Sequence, residues 1–185
     1  PLVKSEGITL LVTVDCGITS AGEVEELARA GIDTIVIDHH ESDGDRVPDA
    51  VAVVDPKKPG ETYPFRELAG VGLAAKFAEA VLGEFPEVDL DLVTLGTVAD
   101  VVPLLGENRV IVKHGLPKIS TSRKDGIQAL IESARIKGKE ITPHSVGFVL
   151  GPRLNAAGRM GSANTSLDLL LADNAVTAGA LAQAL

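Results

Sequence analysis

Residues 33–40 are Asp33-Thr-Ile-Val-Ile-Asp-His-His40, an apolar and largely β-branched run that ends in a carboxylate and two imidazoles. The run predicts a buried strand over residues 33–37 that meets solvent at Asp38, His39 and His40. Open α/β sheets bind ligands just outside the carboxyl ends of their strands. The segment therefore predicts a sheet strand with divalent-metal ligands at its end. A polar strand end without a function is the alternative.

A second apolar run repeats this pattern upstream. Residues 8–14 are Ile8-Thr-Leu-Leu-Val-Thr-Val14, and they stop at Asp15-Cys16-Gly17. If the two strands are parallel, Asp15 reaches the same sheet edge as Asp38. Successive strand side chains face opposite sides, so one imidazole can bind metal while the next faces the substrate and Asp38 orients a ligand from behind.

Carboxylate and imidazole together favour Mn²⁺, whereas an all-oxygen set favours Mg²⁺ or Ca²⁺. Two divalent ions about 3.5–4 Å apart can clamp a phosphoryl group and activate a bridging water. The ligands at this edge therefore predict a metal-dependent phosphoester hydrolase.

The alternation of strands and helices along the chain predicts an α/β fold, a parallel sheet flanked by helices. The first helix is predicted to start at a capping box, Ser20-Ala-Gly-Glu23, and to end at Gly31. A helix starting at Thr142-Pro143 is expected to stop near Gly151-Pro152, with a loop from there to Gly161. The other predicted elements are a strand at 50–54, helices near 72–82, 90–102, 109–115 and 127–134, and helix from Asn164 with a break at Asp173-Asn174.

Composition limits the class of protein. With 185 residues, 45% of them hydrophobic, the chain can bury a core. No apolar run reaches the roughly 18 residues of a membrane span, and no leader pattern precedes the first strand. The single cysteine agrees with a reducing compartment. These features predict a cytoplasmic location and no membrane partner.

The net charge of −9 at first argues against a nucleic-acid partner. The charges are unevenly distributed, however: residues 1–108 carry 7 basic and 21 acidic side chains, and residues 109–160 carry 10 basic and 3 acidic ones. The first part could hold cations and the second could hold phosphates. Solvated helix faces without a partner are the alternative.

A third acidic position, Asp100, ends the apolar segment of residues 90–104. An isolated buried charge is very costly, so a buried Asp100 would have to be paired or bound to metal. Gly96 lies one helical turn earlier and leaves room for close backbone approach. A solvent-facing or helix-capping aspartate is the alternative.

Aromatic residues are few: four Phe, one Tyr and no Trp. Single strands are usually held by stacking of bases on aromatic rings, so the chain offers few such platforms. Phe77, Phe85 and Phe148 are predicted to be core residues. A Cys-His hydrolase built on Cys16 is disfavoured, because the anion of Asp15 next to it would raise the pKa of its thiol.

Five stretches resemble, in order, the motifs of the DHH phosphoesterases, and the last two resemble the RecJ branch of single-strand-specific DNA exonucleases in particular. The resemblance spans nearly the whole chain. The stretches are Val14-Asp-Cys-Gly-Ile18, Ile37-Asp-His-His40, Leu68-Ala-Gly-Val-Gly72, Gly96-Thr-Val-Ala-Asp-Val-Val-Pro-Leu104 and Gly151-Pro-Arg-Leu-Asn-Ala-Ala-Gly-Arg159.

The resemblance implies roles at the metal site. Asp15 matches the carboxylate that bridges two metal ions, His39 an imidazole ligand, and Asp100 a ligand from a later helix. Asp38 matches the carboxylate that supports the site, and His40 the imidazole that faces the scissile phosphate. The implied cofactors are two Mn²⁺ or Mg²⁺ ions.

The resemblance to the RecJ branch also implies a nucleic-acid substrate. Arg153, Asn155 and Arg159 match a loop that holds the nucleic-acid backbone, and arginine forks suit phosphate independently. The alternative is that the two arginines pair with acidic neighbours and tie elements together. The implied activity is digestion of single-stranded DNA from the 5′ end in repair and recombination, with a helicase or a single-strand-binding protein as candidate partners.

The chain departs from the family pattern in two respects. The family's first motif, an Asp-x-Asp strand end, would precede residue 1, and the domains that grip the strand are not recognisable. The expected organisation is therefore an internal fragment, with a DHH catalytic domain at 1–162 that lacks its first strand and first motif, and a helical connector at 163–185 toward a missing second domain. We expect weak metal binding and little cleavage by this chain alone, and tight calorimetric binding of two Mn²⁺ ions would contradict that.

Two further functions stay open. A DHH phosphoesterase acting on pyrophosphate, a cyclic dinucleotide or a short oligonucleotide would use the same ligands, and a non-catalytic scaffold would retain the fold.

RecJ-like chains often have Asn before the proline at 56, where this chain has Asp55. The sequence does not say whether that carboxylate touches the site.

Overall fold

The computed structural model describes residues 2–160 and 163–185, without the side chains of 2, 4 and 157–160. The described chain divides into two compact units. We call them the first unit, residues 1–86 with Gly106–Asn108, and the second unit, Glu87–Leu105 with Arg109–Leu185. The predicted domain boundary at residue 162 lies outside the described residues and stays a prediction.

The first unit contains a three-stranded parallel sheet in the order β1-β2-β3. The strands are β1 (Leu10–Val14), β2 (Asp33–Ile37) and β3 (Ala52–Val54). Central β2 buries Val36 and Ile37 completely, as expected for a β-branched strand covered on both faces. The strand predicted at 33–37 is confirmed, and those predicted at 8–14 and 50–54 each begin two residues later than expected.

Helices α1 (Leu2–Ser5), α2 (Ala21–Arg29) and α3 (Gly70–Leu82) complete this unit. The sheet contacts α2 and α3, so the predicted parallel sheet flanked by helices is confirmed. The predicted capping box is wrong, because Ser20 is the N-cap residue of α2 but its side chain makes no capping hydrogen bond. Helix α3 begins two residues before the predicted start and ends at Gly83, whose φ of 83° suits a left-handed C-cap.

The second unit is helical. Its core buries Ile119, Leu130, Leu150, Leu169 and Ala178 completely. After a 3₁₀ turn (Glu87–Asp89), its helices are α4 (Leu90–Ala99), α5 (Gly106–Ser120, whose first turn belongs to the first unit), α6 (Asp125–Ser133), α7 (Pro143–Ser145), α8 (Gly151–Met160), α9 (Asn164–Leu171) and α10 (Ala175–Gln183).

The loop predicted after Gly151-Pro152 is wrong. A π-helical segment (Val146–Leu150) joins α7 to α8, and α8 runs on to Met160. The N–H of Gly151 donates to the carbonyl of Val146, five residues back. Pro152 then lies in the first turn of α8, where a missing N–H is tolerated, so the proline does not end the helix.

Residues 163–185 are helical as predicted, and the expected break at Asp173-Asn174 is confirmed. Asn174 is the N-cap of α10, and its side chain accepts a hydrogen bond from the N–H of Thr177. Leu169, Ala178 and Ala182 are buried in the core of the second unit. Among the helices of the described chain, none combines the length and the apolar character needed to cross a membrane.

Candidate metal centre

Parallel pairing brings the two predicted strand ends together. In the ladder of β1 and β2, Val14 lies opposite Ile37. The pairing continues for one more step, since the N–H of Asp15 donates to the carbonyl of Ile37 at 2.9 Å. Asp15 and the residues after Ile37 therefore leave the sheet side by side, as the sequence predicted.

One carboxylate and two imidazoles converge at this edge. Asp15, His39 and His40 each offer a ligand atom, and these atoms lie within 4.8 Å of one another. The Nε2 atom of His39 is 3.1 Å from Oδ1 of Asp15. The His39 side chain is 8% exposed, whereas those of Asp15 and His40 are 55% and 57% exposed. The buried imidazole and the open carboxylate fit the oxygen and nitrogen donors that a divalent transition metal binds.

Asp38 holds the histidine segment in place from behind. Its carboxylate, 1% exposed, accepts hydrogen bonds from the N–H groups of Ile18 at 2.9 Å and His39 at 2.8 Å, and from the N–H of His40 at 3.3 Å. Burial by itself raises the pKa of Asp38, but these bonds and the one to the His40 ring outweigh it and hold the pKa below its usual value. Asp38 therefore stays ionised and accepts hydrogen bonds from the backbone, and its supporting role at a metal site stays a prediction.

His40 is oriented by the same carboxylate. Its Nδ1 lies 2.7 Å from Oδ1 of Asp38, and its ring centroid is 4.5 Å from that of His39 with the planes tilted by 57°. The two imidazoles thus differ in environment, because one is buried against Asp15 and the other is exposed and tied to Asp38. This difference supports the predicted division between a metal-binding ring and a substrate-facing ring, which stays a prediction.

Two backbone features place the Asp15 carboxylate. Asp15 has a φ of 63°, a left-handed conformation that is uncommon for residues other than glycine and is often found at functional sites. Gly70, the first residue of α3, lies so close that an added Cβ would be 2.1 Å from Oδ1 of Asp15 and 2.8 Å from its Cβ. Only a glycine fits here without displacing the carboxylate.

Asp55 follows β3 and is buried close to the same edge. It is 1% exposed, its Oδ1 accepts the N–H of Lys57 at 2.7 Å, and its Oδ2 has no hydrogen-bond partner in the described part of the chain. Burial raises the pKa of Asp55, and the nearby negative charge of Asp38 adds to the increase. The charge of Asp38 therefore bears on the ionisation of Asp55, while Asp55 does not belong to the metal-ligand cluster found among the described residues.

Replacing Asp55 by Asn should change the pH dependence of stability. Because the folded-state pKa is raised, the contribution of Asp55 to stability is present below its unfolded pKa and is lost as pH rises through the folded value. Asp55→Asn, which stays neutral, should therefore gain unfolding free energy relative to the wild type as the pH rises from about 4 towards neutrality. Urea unfolding in EDTA measures this change.

The matched control is Asp49→Asn, at an exposed aspartate of the same unit. Its stability relative to the wild type should show no comparable change with pH. A pH-independent difference between Asp55→Asn and the wild type would contradict the assignment.

Asp100 belongs to the second unit, where it is the exposed C-cap residue of α4. Its N–H donates to the carbonyl of Gly96 at 2.9 Å, one turn earlier, as the spacing suggested. The argument from burial does not apply to this exposed carboxylate. The next residue, Val101, has a φ of 63°, so Asp100 also adjoins a strained backbone position. Its role as a metal ligand stays a prediction.

The predicted phosphate-binding residues lie on helix α8 of the second unit rather than on a loop. Arg153 is half-buried, and its Nη1 donates to the carbonyl of Val149 at 2.8 Å. No carboxylate partner of Arg153 occurs among the described residues, which disfavours the ion-pair alternative for it. Asn155 is exposed. The side chain of Arg159 lies outside the described residues.

The sequence missed two contributors to this centre. Gly70 belongs to the stretch Leu68–Gly72 that resembles a family motif. Its close approach to Asp15, however, cannot be predicted from the spacing of the residues in the sequence. The backbone N–H of Ile18 is an equally hidden partner of Asp38. Cys16 is exposed and does not belong to the metal-ligand cluster found among the described residues.

Comparisons with known proteins agree with this geometry. The model of the DHH family, N-terminal domain, matches residues 2–97. The single-stranded-DNA-specific exonuclease RecJ of Bacillus subtilis is 44% identical over 180 residues, 97% of this chain and 23% of that protein. RecJ of Salmonella typhimurium is 41% identical over an alignment 198 residues long, which covers 98% of this chain and 34% of that protein. This chain therefore spans about a quarter of the length of the first relative and about a third of the length of the second.

A solved structure gives the same result. RecJ from Thermus thermophilus in complex with Mn²⁺ has a TM-score of 0.82 and 37% sequence identity, over 98% of this chain and 28% of that one. The RecJ resemblance seen in the motifs is thus confirmed along nearly the whole chain. Because the family model covers more than half of its residues, the chain belongs to the DHH family.

Proposed function

We propose that this chain is part of a RecJ-like, metal-dependent phosphodiester hydrolase that degrades single-stranded DNA from the 5′ end in DNA repair and recombination. The observation that carries the proposal is the convergence of Asp15, His39 and His40 at the carboxyl ends of two adjacent parallel strands. The names of the similar relatives support the choice of substrate.

The proposed metal ligands are Asp15 and His39, and the family resemblance adds Asp100; they would hold Mn²⁺ or Mg²⁺, two ions in the intact protein. Bound divalent ions supply an activated water and neutralise the charge that develops on a phosphoryl group. The donor set of this chain fits such ions, since it presents carboxylate oxygen and imidazole nitrogen within coordination reach.

The other residues position the substrate in this proposal. Asp38 fixes the His40 ring, which in its imidazolium form has two N–H donors, one for Asp38 and one for a phosphate oxygen. Arg153, Asn155 and Arg159 contact the backbone of the DNA, with the guanidinium groups matching phosphate geometry. The strained turn at Asp15 and the close approach of Gly70 limit the positions that the carboxylate can take.

Cleavage of end-labelled DNA tests the proposal. The assay uses the full gene product, with the 185-residue chain beside it for comparison, and a single-stranded 20-mer in Mn²⁺. Asp15→Ala should lower the rate at least about 100-fold through loss of a ligand. Cys16→Ser, the matched neighbour, should change it less than about twofold. Mononucleotides should appear from the 5′ end, and activity that survives Asp15→Ala but not Cys16→Ser would contradict the proposal.

The same assay separates the substrate classes. A long single strand and a dinucleotide are compared at equal concentration of scissile bonds. Faster hydrolysis of the dinucleotide would favour the small-substrate DHH alternative. Single-stranded DNA arises during repair, so a helicase or a single-strand-binding protein is a candidate partner. The proposal also includes a cytoplasmic location.

A further inference from the structure

An aromatic pair lies open to solvent on the second unit. The rings of His144 and Phe148 are stacked, with centroids 4.9 Å apart and planes 27° apart. Phe148 is 75% exposed, which overturns its prediction as a core residue. The other aromatic residues, including Phe77 and Phe85, are half-buried. Phe148 therefore differs from every other aromatic residue of the chain in presenting its ring to solvent.

The helix holds this pair in a fixed position. A capping box at Thr142 fixes the start of the helix, since its Oγ1 accepts the N–H of Ser145 at 3.2 Å. Phe148 lies in the π-helical segment, a rare conformation that is frequent at functional sites. Val146 and Leu150, on either side of Phe148, are completely buried and anchor the segment in the core. The exposed rings thus stand on a rigid base.

The surrounding sequence is cationic. Residues 109–160 carry ten basic and three acidic side chains. Exposed Lys139 precedes the pair and half-buried Arg153 follows it, and neither forms an ion pair among the described residues. Exposed Asn155 lies two turns beyond Phe148 on the same helix. An apolar protein partner would not explain this charge, whereas a polyanion with stacking bases would.

We propose that the His144–Phe148 pair is a stacking platform for the bases of single-stranded nucleic acid. The choice of DNA as the polymer rests on the proposed function. The stacked rings offer an aromatic face to any base, and the neighbouring cations contact the phosphates, so the platform binds without sequence preference. This site adds a base contact to a chain whose aromatic residues otherwise offer few stacking platforms.

Binding in EDTA tests the platform without cleavage. Anisotropy of a labelled thymidine 20-mer should show that Phe148→Ala weakens binding by about fivefold or more, the effect of losing one stacked base. Phe148→Trp should retain wild-type affinity. Val176→Ala, at a residue 85% exposed on the same unit, should bind within about twofold of the wild type. Circular dichroism checks that each variant is folded.

Two further readouts distinguish stacking from other roles. The chain has no tryptophan, so the fluorescence of Phe148→Trp reports on position 148 alone and should be quenched by saturating DNA. An abasic 20-mer should bind the wild type and Phe148→Ala equally, because only the bases reach the rings. The salt dependence of thymidine 20-mer binding should be the same for both proteins, since the phosphate contacts remain.

Several results would overturn the platform. The platform is wrong if Phe148→Ala binds the thymidine 20-mer as tightly as the wild type does, or if the wild type does not bind it at all. It is also wrong if saturating DNA leaves the fluorescence of Phe148→Trp unchanged, or if sedimentation shows that the chain self-associates through Phe148. Failure of the nuclease proposal is distinguishable. If Asp15→Ala binds DNA normally in EDTA and the wild type never cleaves, the platform stands and the catalytic proposal falls.

Discussion

Gly70→Ala should strongly weaken Mn²⁺ binding at the Asp15 cluster while leaving the chain folded. The added methyl group would lie 2.1 Å from Oδ1 and 2.8 Å from Cβ of Asp15, so a change of rotamer alone cannot relieve the contact. Asp15 already occupies a strained backbone conformation and has little freedom to move without leaving the site. We expect the Mn²⁺ affinity measured by calorimetry to fall about 100-fold.

Gly22→Ala is the matched control. Gly22 lies in the first turn of α2, as Gly70 does in α3, but a Cβ there would meet nothing within 4 Å. Alanine favours a helix over glycine by up to about 1 kcal/mol, so Gly22→Ala should keep or gain stability, whereas in Gly70→Ala the clash with Asp15 offsets this gain. Only Gly70→Ala should lose metal. Equal Mn²⁺ affinity of the two variants would show that the contact does not matter.

Asp38→Asn should weaken both stability and metal binding. The carboxylate accepts backbone hydrogen bonds from Ile18, His39 and His40 and also contacts the His40 ring, and it does so while almost completely buried. An amide group has one acceptor oxygen and would turn its NH₂ toward one set of these donors. We expect urea unfolding in EDTA to show a loss of about 2–4 kcal/mol and calorimetry to show about 10–100-fold weaker Mn²⁺ binding.

The pH dependence gives this prediction a second test. Because the pKa of Asp38 is lowered on folding, its contribution is present above the unfolded pKa and is lost as pH falls through the folded value. The stability difference between the wild type and Asp38→Asn should therefore shrink in acid. Asp33→Asn, at an exposed aspartate at the start of the same strand, is the control and should change stability by less than about 0.5 kcal/mol. A difference that persists undiminished in acid would contradict the role given to the ionised carboxylate.

The strand ends could be predicted because their sequence signal is local. An apolar β-branched run that stops at polar residues is typical of a buried parallel strand, and parallel strands share an edge. Asp15 and His39 could therefore be placed together from pattern alone, and the ladder that sets Val14 opposite Ile37 confirms the reason.

The helix after Gly151 could not be predicted, because its signal is not local. Gly151-Pro152 resembles a helix end, but the π-helical segment before it and the burial of Leu150 keep the chain helical. Phe148 was misplaced because its residue type was weighed above its position. It lies two residues from buried Val146 and two from buried Leu150, which places it on the opposite, solvent-facing side of the helix.

The supporting contacts of the site depend on tertiary structure. Gly70 and Ile18 act on Asp15 and Asp38 through distances between segments that are far apart in the sequence. The buried, raised-pKa state of Asp55 likewise arises from packing at the end of β3. Residue types and spacing can indicate which side chains bind metal or substrate, but the contacts that position those side chains depend on tertiary packing.

Paramagnetic broadening by Mn²⁺ in the amide spectrum of the ¹⁵N-labelled chain tests the metal centre most directly, because it locates a weakly bound ion without requiring activity. We expect the signals of Asp15, the residues at 38–40 and Gly70 to broaden first at substoichiometric Mn²⁺, with those of Asp100 broadening alongside them if the proposed ligand set is right. Broadening that begins instead at the exposed acidic residues of 41–49, while Asp15 and His39 stay sharp, would contradict the assignment of this edge of the sheet as a metal site.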